Sequence, residues 1–162
     1  MAKCFAFGGV IKELVKNKIP IGGIVGTEIG AVIASLFCMD AAVNSFEWKM
    51  MKLKDAAFLD RPLLGNGASD GIKLENALND ILGTKEHSDL KCSVWIAAKD
   101  PENGAIRMLR EGPIARNIRL AFSVPGKIKP KQSQDGVFFE SVDSTAELVR
   151  QARALTAGPV VL

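Results

Sequence analysis

The spacing of apolar and polar residues predicts a chain in which helices alternate with short strands. Apolar side chains recur every third or fourth residue in some stretches and form short apolar runs in the stretches between them. Helices are predicted over residues 5–17, 29–39, 44–53, 72–82, 114–122 and 144–155, and strands over residues 21–25, 92–98, 105–109, 137–139 and 159–162. Residues 57–69, rich in Pro and Gly, are predicted to form a loop. Such alternation indicates an α/β fold with a largely parallel sheet.

Residues 21–34 are the stretch around which this prediction is organised. A β-branched run over residues 21–25 predicts a buried strand, Gly26 and Gly30 flank a sharp turn, and an apolar helical pattern begins at once. In hydrolases with a G-x-S-x-G motif, this strand–turn–helix element presents a nucleophilic serine at its central position. Here the central position is Glu28.

Length and composition are those of one ordinary globular domain, spanning residues 1–162. Hydrophobic residues make up 48% of the chain and charged residues 24%, and the net charge is +3. The basic residues are scattered, so nucleic-acid binding is not expected. No secretory signal is predicted at the start of the chain, and no apolar run approaches the roughly 20 residues that cross a bilayer. Peripheral contact with a membrane or lipid stays open.

The cysteines and the single histidine carry no recognisable site motif. Cys4, Cys38 and Cys92 lie far apart in apolar segments, so they are expected to be reduced and to pack as small hydrophobic side chains. Without a C-x-x-C pair, no metal and no cofactor is predicted. Reduced cysteines favour a cytoplasmic location. His87 lies in a polar stretch and is predicted to be a solvated loop residue.

Several short motifs, in order along nearly the whole chain, resemble the patatin-like phospholipase family. Residues 3–12 are similar to the family's entry into its first helix, and residues 26–31 (Gly-Thr-Glu-Ile-Gly-Ala) stand where the family has Gly-Thr-Ser-x-Gly-Ala. Residues 111–115 and 121–126 resemble its Gly-Pro helix and its Ser-x-x-Pro-Gly loop. The resemblance implies a three-layer α/β/α fold with a mostly parallel central sheet. It also implies that the first strand and its glycine-rich loop are missing.

The resemblance carries the family's active site onto particular positions of this chain. The family cleaves acyl esters with a serine–aspartate dyad and a glycine-loop oxyanion hole. Its serine position is Glu28, and the vestigial elbow consists of Gly26, Thr27, Glu28, Ile29 and Gly30. The dyad acid falls on Glu140 when residues are counted back without gaps from residues 152–155, or on Asp135 in the alternative register. In the first register Ser141 and Val142 replace two glycines of the family.

These departures predict a catalytically inactive domain, a degenerate and N-terminally truncated member of the family. A carboxylate at the elbow is a weak nucleophile toward esters and repels a developing oxyanion. Glu28 is expected instead to accept hydrogen bonds from the free N–H groups at the start of its helix. The missing strand predicts self-association or a protein partner that covers the gap, and hence a structural or scaffolding role in an oligomer or larger complex.

Two other functions stay open on the sequence alone. One is a lipid acyl hydrolase with an unusual or partner-completed site, and the other is a non-catalytic lipid binder. Trp48, with Met50, Met51 and Leu53, fits either a lipid or partner surface or a helix packed on the sheet or on the neighbouring loop. The lysines of residues 127–131 are predicted to lie on a solvated loop, although they could also attract acidic headgroups.

Overall fold

The computed structural model of this chain describes residues 2–52, 68–156 and 158. The helices are α1 (Ala2–Lys16), α2 (Glu28–Cys38), α3 (Val43–Lys52), α4 (Ile72–Leu82), α5 (Ile114–Ala121) and α6 (Thr145–Leu155). The strands are β1 (Gly23–Gly26), β2 (Ser93–Lys99), β3 (Ile106–Leu109), β4 (Lys131–Gln132) and β5 (Phe138–Phe139). Most boundaries agree with the sequence prediction, but α1 begins at Ala2, earlier than predicted. The predicted strand 159–162 and most of the predicted loop 57–69 lie outside the described residues.

Three strands form the main sheet, in the order β1, β2, β3. Strand β1 pairs with β2 in parallel, with Gly26 opposite Ile96, and β3 pairs with β2 in antiparallel orientation. Strands β4 and β5 form a separate antiparallel hairpin. Helices packed around a sheet that contains a parallel pair confirm the α/β class. Because β1 and β2 are parallel, their carboxyl ends meet at one edge of the sheet.

Helix α2 lies at the centre of the hydrophobic core. Every side chain from residue 31 to residue 38 is buried, because the helix is contacted by α1, α3, α5 and the first two strands. Helix α3 buries Phe46 and Met50, as its apolar spacing predicts, and the Phe46 ring packs edge-on against Phe37 with 5.9 Å between ring centres. Trp48 and Met51 point outward and are 62% and 56% exposed. Met50 is therefore packed, as the packed-helix interpretation expects, whereas a partner or lipid surface at Trp48 and Met51 stays a prediction.

The prediction that all three cysteines are reduced is wrong for two of them. The sulfur atoms of Cys38 and Cys92 are 2.06 Å apart and form a disulfide. The two residues are 54 positions apart in sequence, and neither belongs to a short cysteine motif from which the pairing could be predicted. They meet because α2 ends where β2 is about to begin, and the N–H of Lys91 donates to the carbonyl of Cys38 at the same junction (2.7 Å). The predicted cytoplasmic location loses this support and stays a prediction.

The prediction that His87 is a solvated loop residue is also wrong. His87 begins a short 3₁₀ turn (His87–Asp89) and is half-buried. Its Nδ1 lies 3.1 Å from the carbonyl oxygen of Val94, and its Nε2 lies 3.1 Å from Nδ2 of Asn117. Since a carbonyl only accepts, Nδ1 carries the proton and Nε2 accepts from the amide of Asn117. Burial lowers the pKa of His87 below its ordinary value, and both ring nitrogens are occupied within the fold.

No helix within residues 2–52 and 68–156 has the length and apolar character needed to cross a bilayer.

Candidate functional site: the elbow between β1 and α2

The predicted elbow is present as a tight strand-to-helix turn. Strand β1 ends at Gly26, Thr27 is the extended N-cap residue with φ −129° and ψ 156°, and α2 starts at Glu28. Glu28 has φ +48°, a left-handed backbone conformation that residues other than Gly rarely adopt. Such a backbone costs on the order of 1–3 kcal/mol and persists only where the surrounding structure imposes it. The strained geometry of a nucleophile elbow is therefore retained, with a glutamate at its central position.

Gly26 is required by this turn, whereas Gly30 is not. A Cβ atom on Gly26 would lie 2.6 Å from the backbone nitrogen of Ala31 and 2.6 Å from the carbonyl carbon of Gly30. Real Cβ atoms do not approach backbone so closely, so only glycine lets the strand pass this near to the first turn of α2. A Cβ atom on Gly30 would meet nothing within 4 Å. One of the two glycines that define the motif is therefore needed for packing at this site.

Glu28 lies at the N-terminal end of its helix, as predicted, but its side chain does not accept the expected hydrogen bonds from the free N–H groups there. Within the described part of the chain its carboxylate makes no hydrogen bond and no ion pair, and the side chain is half-buried. Thr27 provides no side-chain cap either, and its buried hydroxyl oxygen has no hydrogen-bond partner. The helix start is closed by the backbone instead, where the N–H of Ala31 donates to the carbonyl of Thr27 (3.3 Å). The carboxylate of Glu28 and the hydroxyl of Thr27 are thus both unused within the described fold.

Glu140 lies beside the strand next to the elbow. Its backbone pairs with Lys99, the last residue of β2, through two hydrogen bonds of 2.8 and 2.9 Å. Lys99 is three residues beyond Ile96, which is opposite Gly26, so Glu140 lies at the same carboxyl edge from which the elbow emerges. Ser141, the residue after Glu140, is also held, because its N–H donates to the carbonyl of Ser123 (3.0 Å). Glu140 is half-buried.

Asp135, the alternative position for the dyad acid, lies one strand further away. It is exposed in the turn between β4 and β5, and its carboxylate receives a hydrogen bond from the hydroxyl of Ser133. That hydrogen bond holds the pKa of Asp135 below its ordinary range, with a smaller contribution from Arg107. Arg107 lies on β3, 3.4 Å from Asp135, and β2 separates β3 from the elbow strand.

Two polar residues that organise this side of the fold were not singled out from the sequence. Asp100, directly after β2, is buried and accepts hydrogen bonds from the N–H of Glu102 and the amide of Asn103, both at 3.0 Å. Its carboxylate also lies 3.7 Å from Arg107. The turn residues after Asp100 are the visible signal, since aspartate commonly accepts from backbone N–H groups two residues on. Asp100 therefore shapes the loop that leaves the carboxyl edge of β2.

Arg119 is the second residue that sequence reasoning missed. It is 2% exposed within α5 and donates to the hydroxyl of Ser123 (3.1 Å) and to the carbonyls of Asp70 (2.7 Å) and Lys129 (3.0 Å). Burial lowers its pKa, although it stays a cation. A single arginine within the apolar run 118–122 is the signal that could have indicated a buried structural cation. It fixes loop carbonyls, and it is not a ligand for the elbow.

The described residues offer carboxylates at the elbow edge but no group of metal ligands. Among residues 2–52 and 68–156, no three His, Cys, Asp or Glu side chains are grouped in a way that could hold a metal ion. The elbow carries a carboxylate where a hydroxyl would be needed for attack on an ester, and the adjacent strand end carries a second carboxylate at Glu140. The side chains at this edge of the sheet are therefore two carboxylates, those of Glu28 and Glu140.

Comparison with known proteins agrees with this architecture. The family model for patatin-like phospholipases matches residues 1–162. Uncharacterised NTE family proteins of Mycobacterium bovis and Mycobacterium tuberculosis are 26% identical over 133 residues, which is 81% of this chain and 37% of theirs. The chain thus spans little more than a third of the length of these relatives. VipD from Legionella pneumophila has a similar fold, with a TM-score of 0.57 and 11% identity over 86% of this chain and 44% of that one. The chain belongs to the patatin-like phospholipase family.

Proposed function

We propose that this domain does not hydrolyse acyl esters and acts instead as a structural or scaffolding part of a larger assembly. The observation that carries the proposal is Glu28 at the left-handed centre of the elbow. Acyl transfer by this architecture needs a hydroxyl or thiol nucleophile at that position and donors aimed at the developing oxyanion. A carboxylate supplies neither, and its charge opposes the charge that develops in the transition state. The family's usual hydrolase chemistry is therefore not proposed for this chain.

The position of Glu140 supports the same proposal. Of the two registers that the resemblance leaves open, the one with Glu140 places the dyad acid beside β2, the neighbour of the elbow strand. The register with Asp135 places it over β3. We therefore assign the former dyad position to Glu140. The elbow then carries one glutamate at the position of the nucleophile and a second glutamate at the position of the dyad acid.

A direct assay tests the absence of catalysis. Wild-type protein and a Glu28→Ala variant are compared on a p-nitrophenyl ester and on phosphatidylcholine in mixed micelles. We expect both proteins to match the protein-free blank, because the side chain at the elbow performs no step. A wild-type rate that exceeds the blank and is abolished in Glu28→Ala would contradict the proposal and support the hydrolase alternative.

A second variant asks whether the elbow serine alone would restore activity. Glu28→Ser replaces the nucleophile but leaves Glu140, Ser141 and Val142 where the family has Asp-Gly-Gly. We expect no turnover of the same substrates, since one restored group does not recreate a dyad. Robust turnover by Glu28→Ser would show that the remaining machinery is intact, which the scaffolding proposal does not allow.

The surface that we propose for assembly is the outer edge of β1. Within the described residues β1 pairs only with β2, so its other edge presents backbone N–H and C=O groups that another strand could satisfy. Ile24 and Val25 of this strand are half-buried. A strand supplied by a protein partner or by a second copy would complete the sheet by strand addition.

Light scattering coupled to size-exclusion chromatography tests this surface. Val25→Pro removes a donor from β1 and introduces a residue that central strands exclude. We expect the wild-type chain to elute as an oligomer or with a bound protein, and Val25→Pro to elute as a folded monomer. A wild-type monomer that recruits no partner would contradict the assembly role. Mass spectrometry of the same wild-type peak for co-purified lipid tests the lipid-binder alternative.

A further inference from the structure

The two bonded cysteines differ sharply in how they meet solvent. Cys38 is the last residue of α2 and has 0% of its surface exposed. Cys92 lies just before β2 and is only half-buried. The bond therefore joins the centre of the core to a position near the surface. A reagent from solvent therefore reaches the residue Cys92 more readily than the residue Cys38.

An open cleft leads to the Cys92 side of the bond. It has a volume of about 310 Å³, and Cys92 is among its lining residues whereas Cys38 is not. Its walls include apolar side chains such as Val15 and Ile21, and two lysines, Lys18 and Lys91. Neither ammonium group pairs with a carboxylate within the described residues. A small anion can therefore enter the cleft toward Cys92 with a favourable charge around it.

We propose that Cys92 is the thiol-modification site of this disulfide: low-molecular-weight thiols attack the bond only at Cys92, from the cleft. The attacking thiolate forms a mixed disulfide with Cys92, the Cys38–Cys92 bond breaks, and its electron pair leaves on the sulfur of Cys38, which takes up a proton. A second thiol then attacks the mixed disulfide and releases Cys92 as a thiol. The two thiols become one disulfide, so two electrons reduce the protein bond.

The surroundings of the two sulfurs also determine how fast this happens. The lysines of the cleft favour the approaching thiolate, but the leaving group is a thiolate inside the apolar core, where charge is poorly solvated. Attack at the accessible residue, Cys92, therefore expels the thiolate of Cys38, which is the less favourable leaving group because it is buried. This one-sided exposure makes the bond resistant to exchange while it confines modification to a single residue.

Mapping of the mixed disulfide tests the proposal on the intact chain. A Cys4→Ser protein, which keeps only the bonded pair, is incubated with reduced glutathione, quenched in acid and digested with trypsin. Cleavage after Lys91 and Lys99 isolates Cys92 in a short peptide, while Cys38 falls in a different one. We expect glutathione on the Cys92 peptide alone. Glutathione on the Cys38 peptide, or two free thiols in the protein before treatment, would overturn the proposal.

Single-cysteine variants provide an independent measurement. In the Cys4→Ser background, Cys38→Ser leaves only Cys92 and Cys92→Ser leaves only Cys38. We expect Ellman's reagent to react with Cys38 about 100-fold more slowly than with Cys92 in native buffer, because a buried thiol reacts only through local opening. In urea the two rates should converge. Equal native rates in variants that melt cooperatively would overturn the proposal, and the glutathione mapping decides the matter if either variant fails to fold.

Discussion

The two ends of the β1–β2 strand pair are held together in different ways. At the amino edge, the Cys38–Cys92 disulfide joins α2 to the start of β2, and His87 holds the carbonyl of Val94. At the carboxyl edge there is no covalent link among the described residues. There, Gly26 is packed against the backbone of α2, and Glu28 is held in a left-handed conformation.

The two ends differ in covalent linkage and in how their buried polar groups are satisfied, whereas a left-handed residue occurs near both, Ala41 at the amino edge and Glu28 at the carboxyl edge. The amino edge combines a covalent bond with a half-buried imidazole whose two nitrogens are both satisfied. The carboxyl edge, where this family carries its nucleophile, contains a strained residue and a buried hydroxyl without a partner at Thr27. Strain of this kind persists only when the rest of the fold imposes it.

The largest test of this comparison removes the covalent link. Cys92→Ser opens a loop of 54 residues, and the entropy of closing a loop of that length corresponds to about 4 kcal/mol of stability. We expect urea unfolding to move to a much lower midpoint, and dithiothreitol to bring the wild-type protein to the same value. Cys4→Ser, outside the bond, is the matched control and should unfold like the wild type. Equal midpoints for Cys92→Ser and the wild type would show that the disulfide does not stabilise the amino edge.

The next test disturbs the carboxyl edge through its close contact. Gly26→Ala forces a Cβ atom into the backbone of residues 30 and 31, and we expect a loss of about 1–3 kcal/mol in the free energy of unfolding. Gly30→Ala, four residues away in the same motif, meets open space within a helix and should gain about 0.5–1 kcal/mol. Thermal melts of the two variants should shift in opposite directions. A shift in the same direction would show that the elbow does not depend on this contact.

A third test measures the backbone strain near each end of α2. Glu28 and Ala41 have φ of +48° and +52°, and Ala41 follows the helix at the amino edge. Glycine relieves a left-handed backbone, so Glu28→Gly and Ala41→Gly should each stabilise the protein by about 1 kcal/mol. Glu13→Gly, at an exposed position inside the last turns of α1, should destabilise it by about 1 kcal/mol. If only Ala41→Gly were stabilising, the elbow would not be a site of stored strain.

The smallest expected effect is a pH dependence at the amino edge. Burial holds the pKa of His87 below its ordinary 6.5, so the unfolded chain binds the proton more readily than the folded one. The stability that neutral His87 contributes is complete above about pH 6.5 and is lost as the pH falls through the lower, folded-state pKa. His87→Asn should flatten this part of the pH profile in urea titrations between pH 7 and pH 5. Parallel profiles for the two proteins would show that the imidazole does not titrate with folding.

Local pattern was enough to predict most of the elements. Helix α4 was predicted with the observed bounds, because leucines at helical spacing are followed by Gly83, and Leu74 and Leu78 are buried as expected. The strand–turn–helix around Gly26 was likewise visible in its residues. Helix α6 shows the limit of such patterns, since its apolar residues lie at helical spacing but none of them is fully buried. Spacing predicts which residues share a face, and the neighbouring elements determine how deeply that face is covered.

The sequence by itself determined the class of fold, the elbow and the glutamate at its centre, because these depend on residues close together in the chain. Only the tertiary structure decided that Cys38 meets Cys92, and that His87 is half-buried against Asn117. It also decided that Glu140 pairs with the end of β2, the neighbour of the elbow strand, while Asp135 contacts Arg107 of β3. Each of these contacts joins residues that are distant in sequence, so each depends on how the strands pair and how α2 packs on them. The local residue pattern does not predict such contacts, because they form only when the sheet brings distant segments together.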